Sequence, residues 1–538
     1  MKRISVLFLI LTLGLAACHN SDANGGSERK MPAVVQRDTT IIPSASFSLL
    51  QLDSAHLEKF IQAQAVDKIT ARLMRNFYNN RNYQYAWFTD DGPAEHTRAF
   101  WNLHEQYLDL DRDSSIFHKQ LHDRMNRLLN DDEKFSANVL AETELALTQH
   151  FFEFADYTYT GKFNPEELQW HIPKMKIDAV KLLDSLTKTK GENLQNWEPV
   201  NEQYQKLKNS LAQLYKIEKS GAWQRIDLGK NKVLRANDSA TAVIAIKKNL
   251  ALTGDYSNGD ETALFNSEME DAIKNFQRRH GLDEDGVIGP AFVKAMNVPV
   301  SRRIEQVLMN MERMRWLPQD SSRKRVIVNI PEFRLHVYDG DHEVLNMAII
   351  VGKEATRTII FSGSIRYVVF APYWNVPPSI VRKEILPAMR RNSNYLSNNN
   401  MEITKYEGGL PVIRQRPGID NALGRVKFLF PNSYNIYLHD TPARSLFQNT
   451  TRAFSHGCIR IQKPEEMANF LLGDEGWTPE QVHEAMNGTE EQTITLKKKV
   501  PVYIVYFTAW VDENGLLNFR DDIYGHDKVL ASHMFQSK

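Results

Sequence analysis

The chain has 538 residues, 66 basic and 66 acidic side chains, and no net formal charge. Its length calls for about two to four domains, and its charge balance removes any electrostatic argument for a nucleic-acid partner. Apolar residues make up 42% of the chain, enough for ordinary globular cores.

The first residues have the charged-then-apolar order of a secretory signal: Lys2 and Arg3, then a mostly apolar run from Ile4 to Ala17. The run is too short to span a bilayer comfortably. It ends Leu15, Ala16, Ala17, Cys18, which resembles the bacterial lipobox and implies cleavage before Cys18 and lipid attachment to its sulfur. A plain signal peptide cut near Ala17 is the alternative. The expectation is a signal peptide over 1–17 and a lipidated flexible tether over 18–47, polar and small in composition, that holds the folded part off a membrane. The chain has two cysteines. With Cys18 acylated, Cys458 has no intrachain partner, even in the oxidising compartment that export implies.

Residues 48–235 have helical periodicity. Leu57, Phe60 and Ile61 recur at three- and four-residue spacing, as do Leu121, Met125 and Leu128, and Tyr204, Leu207, Leu211 and Leu214. This stretch is expected to be a helical scaffold domain without a cluster of catalytic residue types. Residues 236–299 form a separate small unit of three helices. The second opens at Ser267 to Glu270 in a pattern that fits a capping box. Asp283, Asp285 and Gly286 read as a tight turn, since the full ligand spacing of a calcium loop is missing. Residues 300–322 give one more helix and a linker, with Ile304, Val307, Leu308, Met311 and Met314 on one face, expected to pack back on the scaffold.

From Arg325 the pattern changes to β-rich runs, and 323–507 is expected to be a mainly β domain. The segment 379–424 inside it is long, rich in Asn and Gly, and is expected to be a lid or binding loop. Residues 508–538 form a C-terminal extension. The fold class is α+β multidomain.

Cys458 lies in the run Phe454, Ser455, His456, Gly457, Cys458, Ile459, Arg460. A thiolate is the reactive form of cysteine, and nearby cations and N–H groups lower its pKa from about 8.5. His456, two residues away, would share a strand face with Cys458. His439 ends another strand and could be folded back beside it. Gly457 would let the backbone present N–H groups to an oxyanion. Arg460 reads either as a carboxylate ligand or as half of a structural ion pair. A zinc site on His439, His456 and Cys458 is the rival reading, with no supporting motif.

Two resemblances add to this. Phe276, Gln277, His280, Gly281, Leu282, Asp285, Gly286 and Gly289 resemble the hallmark of the three-helix peptidoglycan-binding module. His439, Asp440, Thr441 and Pro442, followed by Ser455, His456, Gly457, Cys458 and Arg460, resemble the signature of the L,D-transpeptidases with a YkuD-type catalytic domain. The stretches from Asn310 to Trp316, Pro372 to Pro377, Arg416 to Gly424 and Asp522 to Gly525 are similar to the large periplasmic branch of that family. The resemblance implies Cys458 as nucleophile and His439 as base, oriented by a backbone carbonyl near Asp440. It implies His456 as a shaper of the site, and the N–H groups of Gly457 and Cys458 as oxyanion donors. It implies substrate contacts from Arg460, Ser455, Tyr373, Trp374, Asn375 and Asp440. The implied reaction joins two peptidoglycan stem peptides, needs no metal or organic cofactor, and is blocked by carbapenems. A hydrolase on the same fold, or a non-catalytic wall-binding lipoprotein, are the alternatives.

Overall fold

A computed structural model describes residues 48–111, 115–130, 134–192, 198–257, 259–318 and 322–535. The expected signal peptide, Cys18 and tether lie outside the described residues. Among the described residues, no helix is long and apolar enough to cross a membrane.

The chain opens with helices α1 (Ser54–Ala63), α2 (Lys68–Asn80), α3 (Glu95–Asp111), α4 (Lys119–Asn130), α5 (Ala137–Thr160) and α6 (Ala179–Lys188). Asp53 and Asp67 cap the first two by accepting from backbone N–H groups of the first turn. Their apolar faces meet in one core that includes Phe77, Trp87, Phe100, Phe151 and Leu183. The 24-residue α5 runs through its middle. Its Glu144 is buried and accepts from the N–H groups of Ala86 (2.5 Å) and Trp87 (2.9 Å), which pins the irregular segment between α2 and α3.

The stretch expected as one helical unit divides here. Helix α7 (Glu202–Ser220) places Tyr204, Leu207, Leu211 and Leu214 in a second core, shared with the β domain. The module follows as α8 (Thr241–Leu252), α9 (Ser267–Arg279) and α10 (Pro290–Met296), with its own core around Phe265, Ile273, Phe276 and Phe292. The capping box expected at Ser267 is absent. Asn266 is the N-cap and accepts from the Met269 N–H, so the helix starts one residue earlier in the cap than the motif suggested. Asp285 accepts from Gln277 and from the Val287 N–H, the arrangement of a tight turn. Helix α11 (Val300–Trp316) then returns. It packs on α7 and on the β domain, and its apolar stripe is buried between them.

Eight strands close into a barrel: β1 (Lys324–Asn329), β2 (Arg334–Asp339), β3 (His342–Gly352), β4 (Ile360–Phe370), β8 (Val426–Leu429), β9 (Leu438–His439), β11 (Ile459–Ile461) and β12 (Gln492–Val505). The order around it is β8, β9, β11, β3, β2, β1, β12, β4. Strand β8 pairs with both β9 and β4, so the sheet has no free edge there. The short β10 (Ala453–Ser455) pairs alongside β3. Val326, Leu335, Ile349, Val368, Phe428, Leu438, Ile459 and Ile504 fill the core.

The insertion is a folded unit. Strands β5 (Trp374–Asn375), β7 (Leu410–Gln415) and β6 (Met401–Glu407) form a small sheet in that order. Val376, Val381, Ile385 and Ile413 form its core.

Candidate active site

The site rests on one pairing. Strands β9 and β11 are parallel neighbours, with Leu438 opposite Ile459 and His439 opposite Arg460. Side chains alternate along a strand, so Leu438, Ile459 and Ile461 enter the core. His439 and Arg460 share the other face, and the residues two before them, Tyr437 and Cys458, continue it. The Ile459 N–H donates to the Tyr437 carbonyl at 3.1 Å, which carries the pairing one step past the strand ends.

His439 is buried, and its Nδ1 lies 2.5 Å from the Asp440 carbonyl oxygen. A carbonyl only accepts, so Nδ1 carries the hydrogen and Nε2 keeps the lone pair. Burial, reinforced by the charge of Arg460, pulls the pKa of His439 down to about 3. The ring is therefore neutral at ordinary pH, in the tautomer a general base requires.

The thiol differs from the expectation. Burial pushes Cys458 above its ordinary value, against the Tyr437 N–H and hydroxyl and the Arg460 charge, which pull the other way. The flanking cation is present, but desolvation outweighs it. At rest the thiol is protonated, with Sγ 3.6 Å from the Asn435 carbonyl that accepts from it, and the His439 imidazole is neutral.

The loop before the sulfur is held from both sides. Ser455 Oγ donates to the Cys458 carbonyl (2.6 Å) and accepts from the Gly457 N–H (3.1 Å). Thr358 Oγ1 donates to the Gly457 carbonyl (2.8 Å), and Thr356 Oγ1 to the Ser455 carbonyl (3.0 Å). Tyr524 donates to the Gly352 carbonyl at 2.5 Å, bracing the loop that carries these threonines. Gly457 sits at φ +117°, in backbone open mainly to glycine.

Several expected substrate contacts are occupied otherwise. The Ser455 hydroxyl is spent on the loop. The Asp440 carboxylate is buried and accepts from the Arg425 and Thr441 N–H groups and from Arg444 (2.6 Å). An added Cβ at Gly424 would lie 2.3 Å from that carboxylate, which accounts for the glycine. Both residues build the site rather than face a ligand. Of the two expected oxyanion donors, the Gly457 N–H is committed to Ser455, and only the Cys458 N–H is left without an acceptor among the described residues.

His456 does not share a strand face with Cys458, because residues 456–458 form a bend. It is exposed, and its Nε2 lies 2.8 Å from Glu384 of the insertion. Tyr373 lies under the Arg414 guanidinium, 4.3 Å from the ring centre, and its N–H donates to Glu491. Trp374 packs on the insertion core, and Asn375 is exposed opposite Arg414 on the edge strand.

Arg460 makes no ion pair among the described residues, and its Nε is buried without an acceptor. Burial lowers its pKa, with the Cys458 sulfur working in the other direction. The structural ion-pair reading of this residue therefore has no carboxylate behind it. Tyr437, which the sequence reading passed over, touches the sulfur, and its ring centre is 5.6 Å from that of His439. The signal was available: Tyr437 and His439 alternate along one strand.

Three family models match the chain. Residues 323–504 match the family described as L,D-transpeptidase catalytic domain (YkuD). Residues 72–211 match "Scaffold domain", and 239–296 match "Putative peptidoglycan binding domain". A protein of Haemophilus influenzae described as "Putative L,D-transpeptidase" is 32% identical over 254 residues, 44% of this chain and 51% of the relative. The match thus spans about half of that relative's length. Among solved structures, the L,D-transpeptidase (Yku) from Stackebrandtia nassauensis is 14% identical with a TM-score of 0.22, over 51% of this chain and 97% of that one. An L,D-transpeptidase from Mycobacterium smegmatis is 10% identical with a TM-score of 0.20, over 35% of this chain and 61% of that one. Neither structural likeness adds weight. The family matches follow the chain in the order of its three cores: the chain carries the catalytic domain of the L,D-transpeptidase (YkuD) family, preceded by a scaffold domain and a peptidoglycan-binding domain.

Proposed function

We propose that the protein is a peptidoglycan L,D-transpeptidase with Cys458 as nucleophile. The observation that carries this reading is the pinned tautomer of His439 on the same barrel face as the thiol. The thiol proton passes to His439 Nε2 as the sulfur attacks the carbonyl between the L- and D-centres of a tetrapeptide stem. The oxyanion meets the Cys458 N–H. Collapse breaks the C–N bond, the imidazolium returns the proton to the leaving D-Ala amine, and a thioester remains. A side-chain amine of a second stem then attacks the thioester, His439 takes its proton, and the thiol is regenerated with a 3→3 cross-link formed. Arg460, lacking a protein anion, would take a stem carboxylate. His456 and the insertion over 379–424, joined through Glu384, would close over the bound stem. Export and lipid attachment at Cys18, with the catalytic body in the periplasm, complete the proposal and rest on the leader sequence alone.

Purified disaccharide tetrapeptides incubated with the protein, with products read by mass spectrometry, test the function. Cross-linked dimers with loss of D-Ala are expected. Free tripeptides alone would mean a hydrolase on the same fold, and unchanged substrate would mean a wall-binding protein without catalysis. Mass analysis of the N-terminal peptide from cell membranes tests the anchor, with a diacylglyceryl cysteine expected at Cys18 and an unmodified terminus contradicting it.

A further inference from the structure

Outside the barrel, the scaffold brings together histidines that sequence periodicity kept apart. The reading of 48–235 as lacking any cluster of reactive types does not survive folding, because the residues come from α3, α5 and the segment just ahead of α4. His104 lies on α3 and His150 on α5, and their rings are 4.6 Å apart, edge to face. His118 stands just ahead of α4, its ring 5.3 Å from that of His150. Glu153 follows His150 by three residues on α5 and so faces the same way. One ligand atom from each of His118, His150 and Glu153 lies within 4.8 Å of the others.

The hydrogen bonding is what marks the cluster. His150 and His104 are 2% and 1% exposed; neither ring nitrogen of His150 finds a hydrogen-bond partner, and His104 Nδ1 has Glu105 Oε1 3.4 Å away. A neutral imidazole has one donor and one acceptor, and buried polar atoms are almost always satisfied. The His150 imidazole breaks this rule, and its lone pair is open to a ligand that accepts it. Glu153 is already oriented: Gln149 donates to its Oε1 at 2.8 Å, and its Oε2 lies 3.0 Å from His118 Nε2. Trp101 lies 4.7 Å from His104, ring to ring, and shields one side, while the His118 side chain, 47% exposed, leaves the other open for entry.

We propose that the scaffold binds one divalent transition-metal ion of the zinc class on His118, His150 and Glu153, with a fourth position open to water, clamping α5 to the segment just ahead of α4. Imidazole nitrogen with one carboxylate is the donor set zinc takes. Its bond lengths, near 2.0–2.1 Å, keep ligand atoms within about 4 Å of one another, so the cluster closes by about an ångström, a movement the exposed His118 side chain can supply. The proposal is independent of the chemistry at Cys458.

The test uses the full chain, stripped with a chelator and titrated with Co²⁺ and then Zn²⁺. One equivalent of Co²⁺ should give the visible bands of a tetrahedral site, Zn²⁺ should bleach them, and Zn²⁺ should raise Tm. His118→Ala and Glu153→Gln should each weaken binding at least tenfold and erase the Zn²⁺-dependent rise, with circular dichroism and metal-free Tm unchanged. His150→Phe fills the buried position with a ring that needs no partner. It should abolish binding without lowering the metal-free Tm. Absence of the Co²⁺ bands with a Tm indifferent to Zn²⁺ would overturn the proposal and leave an aromatic histidine cluster. Equal binding by all three variants would overturn it too, by locating the metal elsewhere.

Discussion

Arg315 and Arg460 both carry a guanidinium into the protein, and the protein treats them in opposite ways. At the junction of scaffold and barrel, Arg315 Nη2 reaches Asp111 (3.0 Å) and the hydroxyls of Tyr107 and Tyr204, and Nη1 reaches Glu312 (2.9 Å). Only its Nε lacks an acceptor. Burial alone would disfavour its charge, but Tyr107, Tyr204, Asp111 and Glu312 outweigh burial and hold the guanidinium firmly protonated. Glu312 in turn accepts from the Trp316 indole and the Phe163 N–H, so the cation ties α3, α7 and α11 into one joint. Arg460 meets no carboxylate among the described residues. A cation that the fold has satisfied holds structure together, and one that the fold leaves unsatisfied is available to a ligand.

The largest effect expected from this contrast is on stability. Arg315→Met leaves Glu312 without a cation and Asp111 with only the more distant Lys162 (3.8 Å), and should cost about 3–5 kcal/mol. Thermal unfolding checks this, and a loss under about 1 kcal/mol would mean the joint is looser than its contacts. Arg460→Met should do the reverse. Tm should hold or rise, while kcat/KM for a tetrapeptide donor falls about 10–100-fold, the worth of one charge-assisted hydrogen bond. A Tm loss as large as that of Arg315→Met would erase the distinction between the two.

His336 extends the comparison to pH. Burial opposes its charge, but Glu332 and Glu343, each 3.0 Å away, raise its pKa to about 10. A group whose pKa is raised on folding contributes stability that is fully present below its unfolded value, about 6.5. That contribution is lost as pH climbs toward 10. Tm should therefore decline between pH 7 and 10, and His336→Gln should flatten the decline. A wild-type curve that is already flat would contradict the assignment.

The smallest effect belongs to the exposed pair of His456 and Glu384. Such pairs are worth about 0–1 kcal/mol, so His456→Gln should change single-turnover acylation less than about fivefold. His439→Ala should cost about 10²–10⁴-fold. A larger defect for His456 would exchange their roles.

How much of this was legible in the sequence depended on range. The thiol, its glycine and its arginine lie within a few residues of one another and could be read directly. His439 could be placed beside them because it ends a strand. The sign of the Cys458 shift could not be read, since a sequence shows the cation but not the desolvation that overrides it. The alternation rule misplaced His456 because Gly457 puts a bend where a strand was assumed. Ser455 and Asp440 read as ligand contacts because both are polar residues beside Cys458 and His439, yet their polar atoms are taken up by the surrounding backbone and, for Asp440, by Arg444. The division of the helical region was hidden too. The stripes of α7 and α11 are ordinary amphipathic patterns, and nothing in their spacing says which core they join. The approach of His104 on α3 to His150 on α5 joins two helices distant in sequence, and no local pattern encodes it.

The central claim is a neutral thiol–imidazole pair at Cys458 and His439 that forms a thioester only with substrate in place. Intact-protein mass spectrometry after rapid mixing with a tetrapeptide donor, repeated from pH 5 to pH 8, tests it directly. His439 is neutral above about pH 3, and the Cys458 thiol stays protonated to above its ordinary value, so the same protonation state prevails throughout. The expected result is an acyl adduct on Cys458 that forms at a nearly constant rate across that range and is absent in Cys458→Ser. An adduct that persists in Cys458→Ser, or an acylation rate that rises and falls around an inflection near pH 6.5, would contradict the account.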